Sequence, residues 1–339
     1  MRPVKVASVG IGWWSDVLAQ AAVQSGVLEI VVAASRSADK RAAFATKYRC
    51  REAGSYEAVL GDPEVEAVLL TTPHTVHAEQ VVAAAEAGKH VFVEKPFALT
   101  VADARRATEA CRRAGVVLAV GHQRRRHPAS RALKRLLDEG ALGRVVQAEA
   151  NMSGDLGFSL KPGVWRSRRE ETPGGAMTNV GIHPLDTLHY LLGPVVRVMA
   201  FVRRVVVTQV DIDDTTSVLL EFASGGLGYL GTSWVHATRT SFVTLHGTDA
   251  QAFWEADGAR LSVARQGQRE PSPVPLGAVD TMATDAVVEE LAEFGRCVRE
   301  GGRPEVGGEE GTANVAVLEA IVESAATGRV AAVDGAPRA

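Results

Sequence analysis

Cysteine is scarce in this chain, which has three cysteines among 339 residues. Cys50, Cys111 and Cys297 lie far apart, without the close spacing of a metal site or the number that a disulfide framework needs. Long apolar runs are missing too, because no stretch approaches the ~20 residues of a membrane span. We therefore expect a protein of a reducing compartment, with no metal site and no membrane as partner.

A strong net charge is also absent. The 37 Lys and Arg residues nearly balance the 40 Asp and Glu residues, for a net charge of -3, so charge gives no reason to expect nucleic acid as a partner. The first residues lead into a strand without a basic and apolar leader, which favours the cytoplasm. The content of 46% hydrophobic residues is that of a globular protein long enough for two domains.

Over the first ~120 residues, apolar strands alternate with helical patterns, as a parallel sheet with crossover helices requires. The pattern predicts strands at Lys5–Val9, Ile30–Ala34, Ala67–Leu70, His90–Val93 and Val116–Val120, and helices at Ser15–Gln24, Ala38–Tyr48, Thr75–Ala87 and Val101–Ala114. Residues 1–122 are therefore predicted to form a doubly wound Rossmann domain of the α/β class.

After Gly121 the pattern changes to longer strands joined by short turns, which is typical of an antiparallel sheet. The predicted strands are Arg144–Met152, Arg197–Thr208, Thr215–Phe222, Gly226–Trp234 and Ser241–His246, and the predicted helices are Ala129–Glu139, Met177–Leu192, Ala283–Glu300 and Glu309–Thr327. Residues 123–339 are predicted to form an α+β domain with an open, mostly antiparallel sheet for substrate binding and oligomerisation.

The stretch "VASVGIGWWSD" resembles a dinucleotide-binding turn that has lost its third glycine. Gly10 permits a tight turn, and Gly12 lets the backbone approach a pyrophosphate at a helix N-terminus. Ser15 stands at the third position, where a small residue suffices for helix–strand packing. The alternative is an ordinary strand-to-helix turn. Trp13 and Trp14 are either core aromatics or one wall of the ligand crevice.

The end of the second predicted strand bears on the cofactor. It carries Ser35 and Arg36 where an NAD enzyme usually has Asp or Glu for the ribose hydroxyls. A hydroxyl and a guanidinium would instead bind a 2′-phosphate by charge-assisted hydrogen bonds. NADP is therefore preferred over NAD. The alternative is that Arg36 is solvated and both cofactors are accepted.

Polar residues follow two further strands, at the sheet edge where ligands of open α/β folds bind. These are Thr71, Thr72, Pro73 and His77 after one strand, and Glu94, Lys95 and Pro96 after the next. Lys95 could polarise a substrate oxygen or be a surface lysine. In the second domain, Asn179 and His183 share one helix face, and Asp186 could orient the His183 ring. The alternative for His183 is a satisfied core histidine.

Together, Gly-Ile-Gly, Glu-Lys-Pro and Gly-Gly-x-x-x-Asn-x-Gly-x-His resemble the Gfo/Idh/MocA oxidoreductase family over nearly the whole chain. The stretches "GWWSD" and "GHQRRR" are most similar to the phthalate cis-dihydrodiol dehydrogenase-like subgroup, and Gln123 of the latter is assigned to the cofactor site. The resemblance implies an NADP- or NAD-dependent oxidoreductase that transfers a hydride to or from a secondary alcohol or ketone of a sugar, cyclitol or related cyclic polyol.

The resemblance also implies residue roles. Lys95, before a proline that is often cis in relatives, would lie near the nicotinamide, and His183 would be the acid or base toward the substrate hydroxyl. Asn179 occupies a position that is usually aspartate, and an amide cannot carry a proton. Trp165, Arg166 and, more weakly, Asn151 are candidate substrate residues. The run Arg124–Arg126 could contact a phosphate or carboxylate or equally be surface charge, and Arg166 could equally be a solvated loop residue.

Three alternatives stay open: a cis-dihydrodiol dehydrogenase, a redox-neutral NAD(P)-dependent lyase or hydrolase, and a dinucleotide-sensing regulator. The joint presence of a lysine and a histidine at the expected positions favours an enzyme. The open sheet predicts a homodimer or homotetramer through the apolar strands Val202–Val207 and Val218–Leu220.

Overall fold

The computed structural model describes residues 2–277 and 284–337. Their backbone divides into two compact units. The first unit comprises residues 2–123 and 284–312, and the second comprises residues 124–277 and 313–337.

The first unit contains a six-stranded sheet in which every pair of neighbouring strands is parallel, in the order β3-β2-β1-β4-β5-β6. This confirms the predicted Rossmann sheet, with its topological switch point between β1 and β4. The strands are β1 (Val4–Val9), β2 (Leu28–Ala34), β3 (Arg51–Ala53), β4 (Ala67–Leu70), β5 (His90–Glu94) and β6 (Leu118–Gly121), and the helices between them are α1 (Trp13–Ser25), α2 (Ala38–Tyr48), α3 (Tyr56–Leu60), α4 (His77–Glu86) and α5 (Val101–Ala114).

Local sequence explains where these helices begin and end. The Thr100 hydroxyl accepts the Asp103 backbone N–H at 3.1 Å at the start of α5, and Gly115 ends that helix with a φ of 66°. Such a left-handed C-cap is easy only for glycine. The strands are predominantly buried apolar residues, as a parallel sheet with both faces covered requires.

The second unit contains a nine-stranded sheet in the order β14-β13-β12-β11-β7-β10-β9-β8-β15. Among the described residues of this unit, β7 and β10 are the only parallel neighbours, so the predicted mostly antiparallel sheet is confirmed. The strands are β7 (Val145–Ser153), β8 (Val195–Arg203), β9 (Thr215–Phe222), β10 (Leu227–Ser233), β11 (Thr240–Gly247), β12 (Ala250–Glu255), β13 (Arg260–Arg265), β14 (Ser272–Pro273) and β15 (Ala331–Ala332), and the helices are α6 (Pro128–Asp138), α7 (Leu156–Ser159) and α8 (Ile182–Leu192).

The strands β12, β13, β14 and β15 and the short helix α7 were not predicted. Two predicted elements also differ in extent or type. The strand predicted to reach Thr208 ends at Arg203, because the buried Asp214 carboxylate accepts the backbone N–H groups of Val205, Val206 and Val207 and draws them away from a strand ladder. The helix predicted from Met177 begins with a π-helical turn, Met177–Gly181, before α8.

The two last helices are α9 (Thr284–Glu300) and α10 (Gly308–Thr327). The sequence assigned both to the second domain, but α9 packs on α1, and Val287, Leu291 and Phe294 lie in the hydrophobic core of the first unit. The domain limits 1–122 and 123–339 therefore need correction, because residues 284–312 complete the Rossmann core. The predicted start of this helix, Ala283, lies outside the described residues.

Candidate functional site

The turn after β1 packs closely against the turn after β4 and leaves open space at the start of α1. Gly10 has a φ of 93°, and a Cβ there would lie 2.8 Å from backbone atoms of Thr71 and Thr72, so only glycine fits. Gly12 precedes α1, and a Cβ there would meet no atom within 4 Å. The Gly12 Cα thus borders open space at the start of α1, where the first N–H groups of a helix have no partner within the helix. This arrangement fits the pyrophosphate of a dinucleotide.

Ser15 does more than fill the position of the missing glycine. Its buried hydroxyl donates to the Gly12 carbonyl at 2.7 Å and accepts the Gly12 N–H at 2.8 Å. The side chain therefore closes the turn by hydrogen bonds to both backbone groups of Gly12.

The two tryptophans have different environments. Trp14 packs against the hydrophobic core of the first unit, whereas Trp13 is 70% exposed. Their ring centroids are 5.4 Å apart. Trp14 is thus a core aromatic with its ring partly covered, and Trp13 is the one available to a ligand.

The end of β2 offers an exposed cation. Ser37 caps α2, and Arg41 donates to the Ser35 carbonyl at 2.6 Å and pairs with Glu52 at 3.0 Å. Arg36 is exposed and forms no hydrogen bond or ion pair with another residue in the described ranges. Its guanidinium is available for an anion.

The turns after β4 and β5 are tied to each other and to the first turn. Thr71 donates its hydroxyl to the Gly10 carbonyl at 2.7 Å. His77, predicted to bind cofactor, is fully buried, with Nε2 2.9 Å from the Thr72 carbonyl oxygen and Nδ1 2.8 Å from that of Pro96. Its ring contacts the backbone of the two turns. Pro73 follows Thr72 in the turn after β4 and precedes a short 3-10 turn, His74–Val76.

Lys95 stands directly after β5 and is half-buried, and its peptide bond to Pro96 is cis. Glu94 is buried opposite Gly121 of β6, where a Cβ would lie 2.7 Å from a Glu94 carboxylate oxygen. Gly121 therefore leaves the space that the Glu94 side chain fills. Gln123, also buried, opens the 3-10 turn Gln123–Arg126.

In the second unit, the Gly-Gly motif allows a very close backbone contact. Gly175 has a φ of 55°, and a Cβ there would lie 1.9 Å from the Asp213 carbonyl oxygen. The π-helical turn follows at once and carries the buried Asn179, and the half-buried His183 lies in the first turn of α8. Single π-helical turns are frequent at functional sites.

A buried ion-pair network supports α8. The Asp186 carboxylate accepts Arg125 Nη2 at 2.6 Å and Asn314 Nδ2 at 2.7 Å, and Asn314 Oδ1 lies 2.7 Å from His189 Nδ1. Burial lowers the pKa of His189, although the hydrogen bond that His189 Nδ1 donates to Asn314 Oδ1 acts in the opposite direction and raises it. Asp186, predicted to orient His183, thus has its carboxylate held by Arg125 and Asn314.

The run Arg124–Arg126 is buried and is neither a solvated patch nor an open anion site. Arg124 pairs with Asp257, as Arg125 does with Asp186. No periodicity in the sequence reveals these partners, because Asp186 and Asp257 come from distant segments. Sequence analysis therefore missed this network.

The candidate substrate residues are not all together. In β7, Ala148 and Ala150 are fully buried, and Asn151 alternates to the opposite face, where its Oδ1 accepts the Ser153 hydroxyl at 2.8 Å. Because the helical segment Met177–Leu192 packs on the Ala150 side, the sheet separates Asn151 from His183. Asn151 is therefore removed from the candidate site.

Trp165 and Arg166 form a stacked pair in the 3-10 turn Trp165–Ser167, with the guanidinium carbon 4.1 Å from the ring centroid. The second unit also has a cleft of about 710 Å³ that sequence analysis missed. Its lining includes Asp155, Val180, Arg239, Phe242 and Asp257. Val180 follows Asn179 directly in the π-helical turn, so the cleft reaches that segment.

Within the described ranges, no helix combines the length and apolar character that crossing a membrane requires. In the same ranges, no three His, Cys, Asp or Glu side chains cluster as metal ligands would.

Comparison with known proteins supports the two-part organisation. Residues 4–122 match the model described as "Oxidoreductase family, NAD-binding Rossmann fold", and residues 130–253 match the GFO/IDH/MocA C-terminal domain. The 1,5-anhydro-D-fructose reductase of Ensifer adhaerens is 31% identical over 312 residues, covering 90% of this chain and 91% of that protein.

Two further proteins are similar over almost their full length. The NADP-dependent D-xylose 1-dehydrogenase of Haloarcula marismortui is 28% identical, covering 96% of this chain and 92% of that protein. A solved structure from Desulfitobacterium hafniense, described as a candidate NADPH-dependent oxidoreductase, has a TM-score of 0.91 and 33% identity, covering 98% of both chains. With an NAD-binding Rossmann domain and its matching C-terminal domain, the chain belongs to the Gfo/Idh/MocA family of oxidoreductases.

Proposed function

We propose that this protein is an NADP-dependent oxidoreductase that interconverts a secondary alcohol and a ketone of a sugar, cyclitol or related cyclic polyol. The observation that carries the proposal is the open space beside Gly12, on the same sheet edge as Lys95. The reductase and dehydrogenase activities that name the relatives from Ensifer adhaerens and Haloarcula marismortui support the substrate class.

The bound nicotinamide supplies hydride acceptance and donation. In oxidation, His183 takes the proton of the substrate hydroxyl, and the Lys95 ammonium stabilises the negative charge that develops on its oxygen. Asn179 donates or accepts a hydrogen bond to hold the substrate or the His183 ring, and it moves no proton. Trp165 offers an apolar face to a sugar ring while Arg166 hydrogen-bonds its oxygens.

Arg36 supports the preference for NADP over NAD. Arg36 stands between Ser35 and Ser37 in the sequence, and its exposed guanidinium suits a 2′-phosphate. No carboxylate follows β2 directly to repel one. Arg36→Ala is expected to weaken NADP binding about tenfold or more, equivalent to the loss of one charge-assisted hydrogen bond, and to leave NAD binding unchanged. Arg113→Ala, an exposed arginine at the end of α5, is the matched control.

The first experiment is calorimetric binding of NADP and NAD to the full chain, followed by an absorbance screen at the reduced-nicotinamide band. Polyols, aldoses, sugar acids and dihydrodiols form the panel. Tight NADP binding with turnover of a sugar or polyol supports the proposal, and turnover of dihydrodiols alone favours the alternative dehydrogenase. Binding without turnover favours a redox-neutral enzyme or a sensor, and absence of binding overturns the proposal.

We further propose a cytoplasmic homodimer or homotetramer. The open face of the nine-stranded sheet carries Phe201, Leu219 and Leu227, exposed at 58%, 61% and 59%. In the predicted interface strands, Val202, Val207, Val218 and Leu220 are buried within the protomer. The exposed residues that alternate with them, such as Phe201 and Leu219, would therefore form the contact between protomers. Light scattering after size-exclusion chromatography tests this: Leu219→Glu should yield monomers, and a monomeric wild type refutes it.

A further inference from the structure

His77 has an environment that hydride transfer does not explain. The residue opens α4, its side chain is fully buried, and each ring nitrogen faces a backbone carbonyl oxygen. Nδ1 lies 2.8 Å from the Pro96 oxygen and Nε2 lies 2.9 Å from the Thr72 oxygen. Both distances are those of ordinary N–H···O hydrogen bonds.

A carbonyl oxygen only accepts hydrogen bonds, so each of these contacts needs a hydrogen on the ring nitrogen. A neutral imidazole carries one such hydrogen, and its second nitrogen would set a lone pair against a carbonyl lone pair. Both contacts are favourable together only in the imidazolium form. They are then charge-assisted hydrogen bonds, stronger than those between neutral groups.

The two carbonyls belong to different turns at the edge of the parallel sheet. Thr72 follows β4, and its hydroxyl donates to Gln80 Oε1 at 2.5 Å on α4 itself. Pro96 follows β5 and shares its peptide bond with Lys95. The His77 ring therefore bridges the β4 turn and the turn that carries Lys95.

Charged and titratable groups stand on each of these elements. The His74 ring contacts the His77 ring edge-on, at 5.7 Å between centroids. Glu94 and Lys95 directly precede Pro96 on the β5 side, and on α4 the exposed Glu79 is paired with Arg106. These groups are the ones that would tune the protonation of His77.

We propose that His77 is a positioning residue that holds a proton on both ring nitrogens and fixes the Lys95–Pro96 turn against the β4 turn. This inference rests on the proposed function, because Lys95 is the group that it positions. His77 touches neither substrate nor cofactor in this role.

The first test is nitrogen NMR of the full-length wild-type protein labelled with ¹⁵N-histidine, without added cofactor. One histidine, identified by its loss in His77→Gln, is expected to show two protonated ring nitrogens across the pH range of activity. A single protonated nitrogen at His77 would overturn the inference. This readout needs no turnover, so it decides the point even if the proposed reaction proves wrong.

The second test separates the two hydrogen bonds. His77→Asn keeps a donor near Nδ1 for Pro96, His77→Gln keeps one near Nε2 for Thr72, and His77→Phe keeps neither. The Phe and Gln variants lack the donor to Pro96, so the turn that carries Lys95 is no longer fixed. Since a displacement of a catalytic group by about 1 Å costs about 10²-fold in rate, kcat should fall about that much in these two variants. The Asn variant should recover most of kcat, and the Kd for NADP should change less than threefold, on the order of 0.6 kcal/mol or less.

His246→Asn, at a half-buried histidine of β11, is the control and should retain wild-type kcat. Equal losses in the Asn, Gln and Phe variants would indicate a merely structural ring and overturn the positioning role. If the Phe variant does not fold, the NMR result and the comparison of the Asn and Gln variants still test the positioning role. If wild-type turnover is found while His77 is neutral, the inference fails and the proposed function stands.

Discussion

Replacing Asp186 with asparagine should destabilise the second unit strongly. The carboxylate is about 1% exposed and accepts hydrogen bonds from Arg125 Nε, Arg125 Nη2 and Asn314. The variant keeps the shape but removes the charge, which leaves the buried Arg125 guanidinium without its counter-ion. Breaking a buried pair in this way costs about 3–5 kcal/mol.

The measurement is urea unfolding of the full chain, with hydrogen exchange of α8 peptides to locate the effect. Asp138→Asn is the control, since Asp138 is an exposed residue paired with Lys134 one helical turn away, and it should cost about 0.5 kcal/mol or less. The double variant Arg125→Met, Asp186→Leu should recover part of the loss, because neither charge of this pair is then left buried without the other. A cost below about 1 kcal/mol for Asp186→Asn would refute the reasoning.

Three further predictions concern the first unit. Ser15→Ala should lower stability by about 1 kcal/mol and weaken NADP binding, because both hydrogen bonds to Gly12 are lost. Gly10→Ala should destabilise the fold by about 1–3 kcal/mol through backbone strain, whereas Gly12→Ala should leave thermal unfolding unchanged and weaken NADP binding. The hydrogen bond from Arg299 lowers the pKa of Glu66 to about 2. This pair therefore adds stability above the unfolded pKa near 4.5, which is lost as pH falls toward 2, and Glu66→Gln should flatten acid unfolding in that window.

Each of these predictions has a result that contradicts it. Wild-type melting of Ser15→Ala would show that the hydroxyl is dispensable for the turn. Equal melting temperatures for Gly10→Ala and Gly12→Ala would remove the argument from close backbone approach. An acid-unfolding midpoint that is the same with and without Glu66 would show that its ion pair is screened by solvent.

The Rossmann unit was largely predictable, because its signals are local. Buried apolar strands, the Thr100 cap and the terminal Gly115 each depend on residues only a few positions away in the sequence. Ser15 was predicted only as a small residue, since a spacing motif does not reveal that a hydroxyl will bond to the backbone. The alternation of β7 was readable in advance, and it places Asn151 on the face opposite Ala150.

Where a distant residue decides the structure, sequence analysis failed. The valines at 205–207 favour a strand by propensity, but Asp214 captures their N–H groups. The charge of Arg125 was visible, yet its partner Asp186 follows 61 residues later, and Asn314, which also bonds to Asp186, follows 128 residues after Asp186. Helical periodicity predicted α9 but did not indicate which core its apolar face would join.

The packing of α9 in the core of the first unit has a consequence for folding during synthesis. A ribosome completes β1–β6 long before it reaches Phe294, whose ring packs at 5.9 Å between centroids from Phe92. Until then the nascent sheet lacks the helix that covers α1, and its apolar surface remains available to chaperones. A fragment that stops at residue 122 should therefore be aggregation-prone, while the same fragment with residues 284–312 supplied as a peptide should recover solubility.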